Sequence, residues 1–356
     1  MRISPARLGS VRLPVQRVPR PGRRAKWAAR RAAYGTGVLS TAAGATVALL
    51  VAEAKLARKT IGEPTEDPPT PTGTYGRYPG KPVHLAVIGD SGAAGLGCAH
   101  ASQTPGALIA GALARDLRQR VAVDVVAVVG ARSADLDAQV AKALRRRVDL
   151  VYVMVGTNDV THRVPIGKAV ADLGRAVATL RAAGAFVVVG TCPDLGTVKP
   201  IMQPLRAYGS VVSRKLAAAQ AVAVVENDGV AVSLGDLLAE EFHHLEHLWS
   251  PDRFHPSPAG YRRVVDAVLP SLLHGAGVRV PVDVPVSESV QDIEVAAAVL
   301  AREPGVVLET VPGAEGAAAA GAGRLTRLVR RLPLVGRGAP DERSEVGLPE
   351  PLGAAD

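Results

Sequence analysis

Aromatic side chains are scarce in this sequence: three Phe, two Trp and six Tyr among 356 residues. Apolar residues nevertheless make up 47% of the chain, enough for a sizeable buried core. That core has to be packed from Ala, Val, Leu and Ile, and no stacked-aromatic platform for sugars can be argued. Cysteine is scarcer still, at two residues, Cys98 and Cys192. Two thiols exclude a disulfide-built scaffold and a four-thiolate zinc site; one bridge between them is conceivable in an oxidising compartment, but two free thiols are the plainer expectation. The zinc motif H-E-x-x-H is missing. Glu240, His243, His244 and His247 cluster without it and read as a polar surface helix or a flap.

The first 31 residues have no acid at all, yet carry nine Arg and Lys26. The formal net charge of the chain is +9, a value that raises nucleic acid as a partner. Setting those ten cations aside leaves 32 basic against 33 acidic residues. All of the excess is therefore N-terminal, and no nucleic-acid surface is expected on the fold.

Directly after the basic segment 1–31, the 21 residues from Ala32 to Ala52 carry no charge. At about 1.5 Å per residue, a helix of that length spans roughly the 30 Å hydrocarbon core of a bilayer. An Arg-rich flank before an apolar run directs the N-terminus to the cytoplasm and the rest of the chain across the membrane. Residues 32–54 are accordingly expected to be a signal anchor at the cell membrane, with the following domain extracytoplasmic. Two alternatives stay open. Ala52-Glu53-Ala54 resembles a small-residue cleavage site, which would release a secreted protein; and Gly35, Gly37 and Gly44 weaken the span enough to allow an Ala/Gly-rich helix in a cytoplasmic protein.

Residues 55–80 include a Pro-dense stretch without periodicity and read as a semi-rigid linker. From Lys81 the pattern changes. His84–Ile88, Val121–Val129, Asp149–Val155 and Ala185–Val189 are short apolar runs rich in β-branched residues, with a shorter fifth at Ala221–Val225. Helical stretches separate them: Pro105–Arg120, Ser133–Arg146, Pro165–Ala183 and Pro204–Gln220, with Pro258–Leu273 closing the domain. Buried strands alternating with helices of this length predict an α/β domain over 81–276, its mostly parallel sheet covered on both faces. Residues 277–356 are rich in Gly, Ala and Pro and read as a mostly disordered tail, with a possible helix at Ser287–Arg302. The basic, amphipathic Arg324–Arg337 reads as solvated or as touching an anionic membrane.

Ligand sites in such sheets lie beyond the carboxyl ends of the strands, and there the sequence is unusual. The first strand runs into Gly89-Asp90-Ser91-Gly92, the second into Gly130 and the third into Gly156-Thr157-Asn158-Asp159. Asp252-Arg253-Phe254-His255 precedes the last helix. A serine nucleophile needs a base, and imidazole titrates in the right range. The imidazole needs a carboxylate to fix its tautomer, which Asp252 can supply to His255 from the same loop. A tetrahedral oxyanion needs convergent donors, for which the Ser91 and Gly130 N–H groups and the Asn158 amide are candidates. Other readings fail: trypsin-like enzymes carry His and Asp before the serine, and the G-x-S-x-G elbow needs glycine where Ala93 stands. His162, four residues after Asn158, is close enough to reach a substrate; Asp194 and Asp236 are spare carboxylates.

These four blocks, in this order, resemble the SGNH hydrolases, the GDSL-type esterase/lipase superfamily. The resemblance covers about residues 81–275. It implies a flavodoxin-like three-layer α/β/α sandwich, with Ser91 as nucleophile, His255 as base, Asp252 as its orienting acid, and Gly130 and Asn158 as oxyanion donors. The implied reaction is hydrolysis of a carboxylic ester, small-molecule, lipid or glycan, without metal or organic cofactor. An acyltransferase passing the same acyl group to a sugar or lipid hydroxyl is the alternative, and a non-catalytic envelope-binding protein a more distant one.

Overall fold

The apolar run after Pro82 becomes β2 (Val83–Gly89), whose side chains alternate between two separate cores. Leu85 and Val87 face one side of the sheet, Ala86 and Ile88 the other. Both sets are almost fully buried, as expected for a strand covered on both faces. In this computed structural model the described residues are 48–57, 59–60, 62, 67–234 and 241–278, with three further strands at 291–292, 306–310 and 325–330.

Four parallel neighbours complete the centre of the sheet: β3 (Val121–Val125), β4 (Leu150–Met154), β5 (Phe186–Gly190) and β6 (Val230–Val232). Their order is β3-β2-β4-β5-β6, with β2 pairing in register to both β3 and β4. Counted from β2 this is 2-1-3-4-5, the doubly wound order whose chain reversal opens a crevice beside the first strand's carboxyl end. Helices Pro105–Leu117 and Pro258–Gly275 share one core with the sheet. Helices Leu136–Ala143, Ile166–Ala182 and Leu205–Glu226 cover the other face.

Three expectations are corrected. Ala221–Val225 is not a strand; it is the last turn and a half of helix Leu205–Glu226, and the fifth parallel strand is β6. Ala221, Val224 and Val225 are buried against the sheet, so the β-branched run marks burial rather than backbone type, and packing overrides its weak propensity. The span 55–80 is not only linker. Residues 48–57 and 59–60 are helical, and β1 (Gly73–Tyr75) adds an antiparallel edge to β3. Tyr75 is buried there and donates its hydroxyl hydrogen bond to the Pro71 carbonyl at 3.0 Å.

The third correction concerns the tail. It contributes β7 (Gln291–Asp292), β8 (Val306–Thr310) and β9 (Leu325–Arg330), all antiparallel, so the sheet is mixed, mostly parallel, and nine-stranded among the described residues. The free edge of β6 presents unpaired backbone groups, which β8 takes up through Ala231–Leu308 and Val232–Val307. The β-branched start of Val306-Val307-Leu308 was the available signal. The tentative helix at Ser287–Arg302 is strand at 291–292; its other residues lie outside the described ones.

The basic segment 1–31 and residues 32–47 of the expected span also lie outside the described residues. Among the described residues, no helix is long and apolar enough to cross a membrane.

Candidate active site

Gly89, at the end of β2, has φ +137°, and a Cβ there would stand 1.9 Å from the Met154 carbonyl oxygen. Only glycine lets β2 and β4 close at this point. The chain then turns into α1 (Ser91–Ala94), with Asp90 as its cap, accepting the Gly92 N–H at 2.9 Å. Ser91 is thereby held at the strand's carboxyl end, 9% exposed, at the mouth of the crevice.

The side chain that meets it comes from 164 residues further on. His255 Nε2 lies 2.9 Å from Ser91 Oγ, and His255 Nδ1 lies 2.6 Å from Asp252 Oδ2. Asp252 also organises its own loop: its Oδ1 accepts from the Ser250 hydroxyl at 2.6 Å and from the Phe254 and His255 N–H groups at 2.8 and 2.9 Å. The loop is closed by Ser250 N–H donating to the His255 carbonyl and by a bridge between Trp249 and Pro256. Arg253 at its tip adopts φ +55°, local strain of the kind found at functional sites. Burial pushes the Asp252 carboxyl up, but the hydrogen bonds from His255, Ser250 and the loop backbone outweigh it. They hold the group well below the usual carboxylate range. A carboxylate at that position favours the tautomer with hydrogen on Nδ1, leaving Nε2 to accept the Ser91 proton.

Asp90 is the opposite case. It is 3% exposed, and burial pushes its carboxyl up to about 7, against the opposing pull of the Gly92 N–H and His255. Two carboxyls near one histidine are thus shifted in opposite directions, Asp252 down by its donors and Asp90 up by desolvation.

Gly130 and Asn158 are linked through Ala131. Gly130 sits in an exposed turn with φ +80°, and the Asn158 Nδ2 donates to the carbonyl of the next residue, Ala131, at 3.0 Å. Neither belongs to the walls of the cleft around Ser91. That cleft, with a cavity volume of about 40 Å³, is lined by Ser91 and His255 together with Met154, Leu195, Val198, Trp249 and Phe254 among others, and its wall is largely apolar. Asp194 lines it too, but is committed to the Gly196 N–H and to Arg214 at 2.7 Å each. His162 is exposed, with Nδ1 2.9 Å from its own Asn158 carbonyl. Asp236 and Glu240 lie outside the described residues; His243, His244 and His247 are exposed, and Cys98 and Cys192 carry free thiols.

Several supporting residues escaped the motif reading. Gln139 holds both backbone groups of Gly89, accepting its N–H at 2.7 Å and donating to its carbonyl at 2.9 Å. Gln220 does likewise for the Cys192 N–H and the Val155 carbonyl. Asp159 accepts the N–H and hydroxyl of Ser133 and so ties the 156–159 loop to the chain that follows Ala131. A signal for both glutamines existed: Gln139 is the lone polar residue among the buried positions of its helix, and Gln220 shares that distinction on its own helix with Ser213 alone.

A family model described as GDSL-like lipase/acylhydrolase matches residues 87–263. The GDSL-like esterase Rv1075c of Mycobacterium tuberculosis is 39% identical over 254 residues, 68% of this chain and 80% of that protein. The chain belongs to the GDSL-like lipase/acylhydrolase family. It is an ester hydrolase of the SGNH type. Similar solved structures include TesA, 24% identical with a TM-score of 0.43 over 54% of this chain and 99% of that one. Another is the acetylxylan esterase Axe2 of Geobacillus stearothermophilus, at 20%, 0.42, 56% and 96%. The motif order Gly89–Ser91, Gly130, Asn158, Asp252–His255 runs through the stretch the family model covers.

Proposed function

We propose that the protein is a serine esterase that cleaves a carboxylic ester through an acyl-enzyme formed on Ser91. The observation that carries this reading is the continuous hydrogen-bonded chain from Ser91 Oγ through His255 to Asp252 at the edge of an apolar cleft. In the first half-reaction Ser91 Oγ bonds to the ester carbonyl carbon and its proton passes to His255 Nε2. The tetrahedral intermediate collapses with cleavage of the bond to the alcohol oxygen, which takes the proton from His255. In the second half, His255 removes a proton from water, the hydroxide attacks the acyl carbon, and Ser91 leaves with that proton as the acid is released. Asp252 stabilises the imidazolium in both halves and is not itself protonated.

On the strength of the motif order, the oxyanion is assigned to the Ser91 and Gly130 N–H groups and the Asn158 amide, the latter two standing outside the apolar lining of the cleft. Asn158 spends one of its two Nδ2 hydrogens on Ala131 and keeps the second for this purpose. Loss of one such donor costs about 2.7–4 kcal/mol in the transition state. No step calls for a metal or organic cofactor.

A fluorophosphonate probe on the folded full chain tests the assignment. Covalent labelling of the wild type and none of Ser91→Ala is expected; an unlabelled, folded wild type refutes it. Supplying acceptor alcohols then separates hydrolysis from transfer to a sugar or lipid hydroxyl. We also assign the domain to the outer side of the cell membrane, held by 32–54, on the strength of the ten cations that precede that run. A topology reporter fused after Pro82 is expected to be active only outside the cytoplasm, and activity confined to the cytoplasm excludes it.

A further inference from the structure

The cleft's apolar wall at Leu195 and Val198 belongs to a loop that follows β5 and pairs with no strand. It contains only a single 3-10 turn, Leu195–Thr197. From the inside, the loop is held by the Leu195 N–H donating to Ser213 Oγ at 3.1 Å and by the Asp194–Arg214 pair. On its outer side, Leu195, Val198 and Ile201 close on Ala57, which is 7% exposed, in one apolar cluster with Trp249 and Phe254 packed against it. Where the loop ends, Glu53 Oε2 accepts the Leu205 N–H at 2.9 Å, in the first turn of helix Leu205–Glu226. Backbone donors in a first helical turn have no partner within the helix, and a carboxylate is favoured there. Glu53 is itself only 7% exposed. A carboxylate is costly to bury without such a bond, so this contact ties the helical segment to one place.

We propose that Glu53 and Ala57 act as positioning residues for the acyl site: they brace the Leu195–Val198 wall and so limit the length of acyl chain that the Ser91 cleft accepts. This rests on the esterase reading. Neither residue touches the reacting atoms; both act through the wall. Glu53 directly follows the uncharged run Ala32–Ala52, so cleavage after Ala54 would remove half of the brace. The chain that carries the short-acyl site is therefore the one that keeps its N-terminal segment.

The test is a series of p-nitrophenyl esters from acetate to octanoate, hydrolysed by the full chain as wild type, Glu53→Ala, Glu53→Gln and Ala57→Val. The wild type is expected to favour acetate in kcat/KM. Glu53→Ala should reduce that preference about tenfold, the low end of what one methylene in a pocket is worth, and chiefly through KM for the long esters. Glu53→Gln, which keeps an acceptor oxygen, should retain the wild-type ratio. Ala57→Val, adding bulk behind the wall, should sharpen the preference for acetate, and it serves where Glu53→Ala does not fold. An equal loss across all esters in Glu53→Ala, or unchanged ratios in both alanine-site and glutamate-site variants, overturns the brace while leaving the esterase reading intact. A wild type that turns over no ester and takes no fluorophosphonate overturns both.

Discussion

Replacing Asp90 with asparagine should change how stability depends on pH, by an amount that follows from the residue's surroundings. Asp90 is almost fully buried, and burial holds its carboxyl at about 7 in the folded protein, against about 3.9 in an unfolded chain. Below pH 4 the side chain is neutral in both states and its contribution to stability is fully present. Between pH 4 and 7 the unfolded chain gives up the proton and the folded one keeps it, so this contribution is progressively lost as pH rises. At about 1.4 kcal/mol per pH unit, the loss approaches roughly 4 kcal/mol by pH 8. Asparagine keeps the oxygen that accepts the Gly92 N–H and has no proton to lose. The Asn variant should therefore melt near the wild-type temperature at pH 4 and gain on it steadily above. Between pH 5 and 8 the advantage should grow by about 3 kcal/mol, or roughly 6–12 °C in Tm for a domain of this size. Thermal unfolding of both proteins across pH 4–8 is the assay, with fluorophosphonate labelling to confirm that the variant is native. A constant offset in Tm across that range would refute the reasoning.

Three further outcomes follow from the site. Asp252→Asn removes the acceptor that fixes the His255 tautomer; kcat should fall by about 10³–10⁴ with the fold intact, as read by steady-state kinetics and circular dichroism. Asn158→Ala should lower kcat by about 10²–10³ with little change in KM, and an unchanged kcat would remove Asn158 from the oxyanion assignment. Gly89→Ala sets a methyl group against the Met154 carbonyl and should cost roughly 4 kcal/mol or more, seen as insoluble protein or a collapsed denaturation midpoint.

Elements with a local signature were legible in the sequence. The runs that become β2 to β5 are short, apolar and bounded by turn residues, and the helices between them begin at Thr104-Pro105, Pro165 and Ser257-Pro258, where capping and fixed φ mark a start. Ala221–Val225 misled because β-branched residues report burial as readily as strand. Tyr75, β1 and the tail strands were hidden because edge strands take their identity from a partner's free backbone groups, which a local pattern does not contain.

The same division holds at the site. Asp252 and His255 lie three residues apart, so the sequence alone determined that a carboxylate could orient that imidazole, and the four-block order determined the family. Only the tertiary structure decided what those blocks meet. Ser91 and His255 are 164 residues apart, and the crevice between β2 and its neighbours brings them within 2.9 Å. The protonation states of Asp90 and Asp252 were equally out of reach, because an aspartate's pKa depends on the donors and the solvent around it. The brace on the cleft wall is of the same kind. Glu53 closes the uncharged run Ala32–Ala52, and only folding sets it 2.9 Å from the backbone of Leu205, 152 residues away.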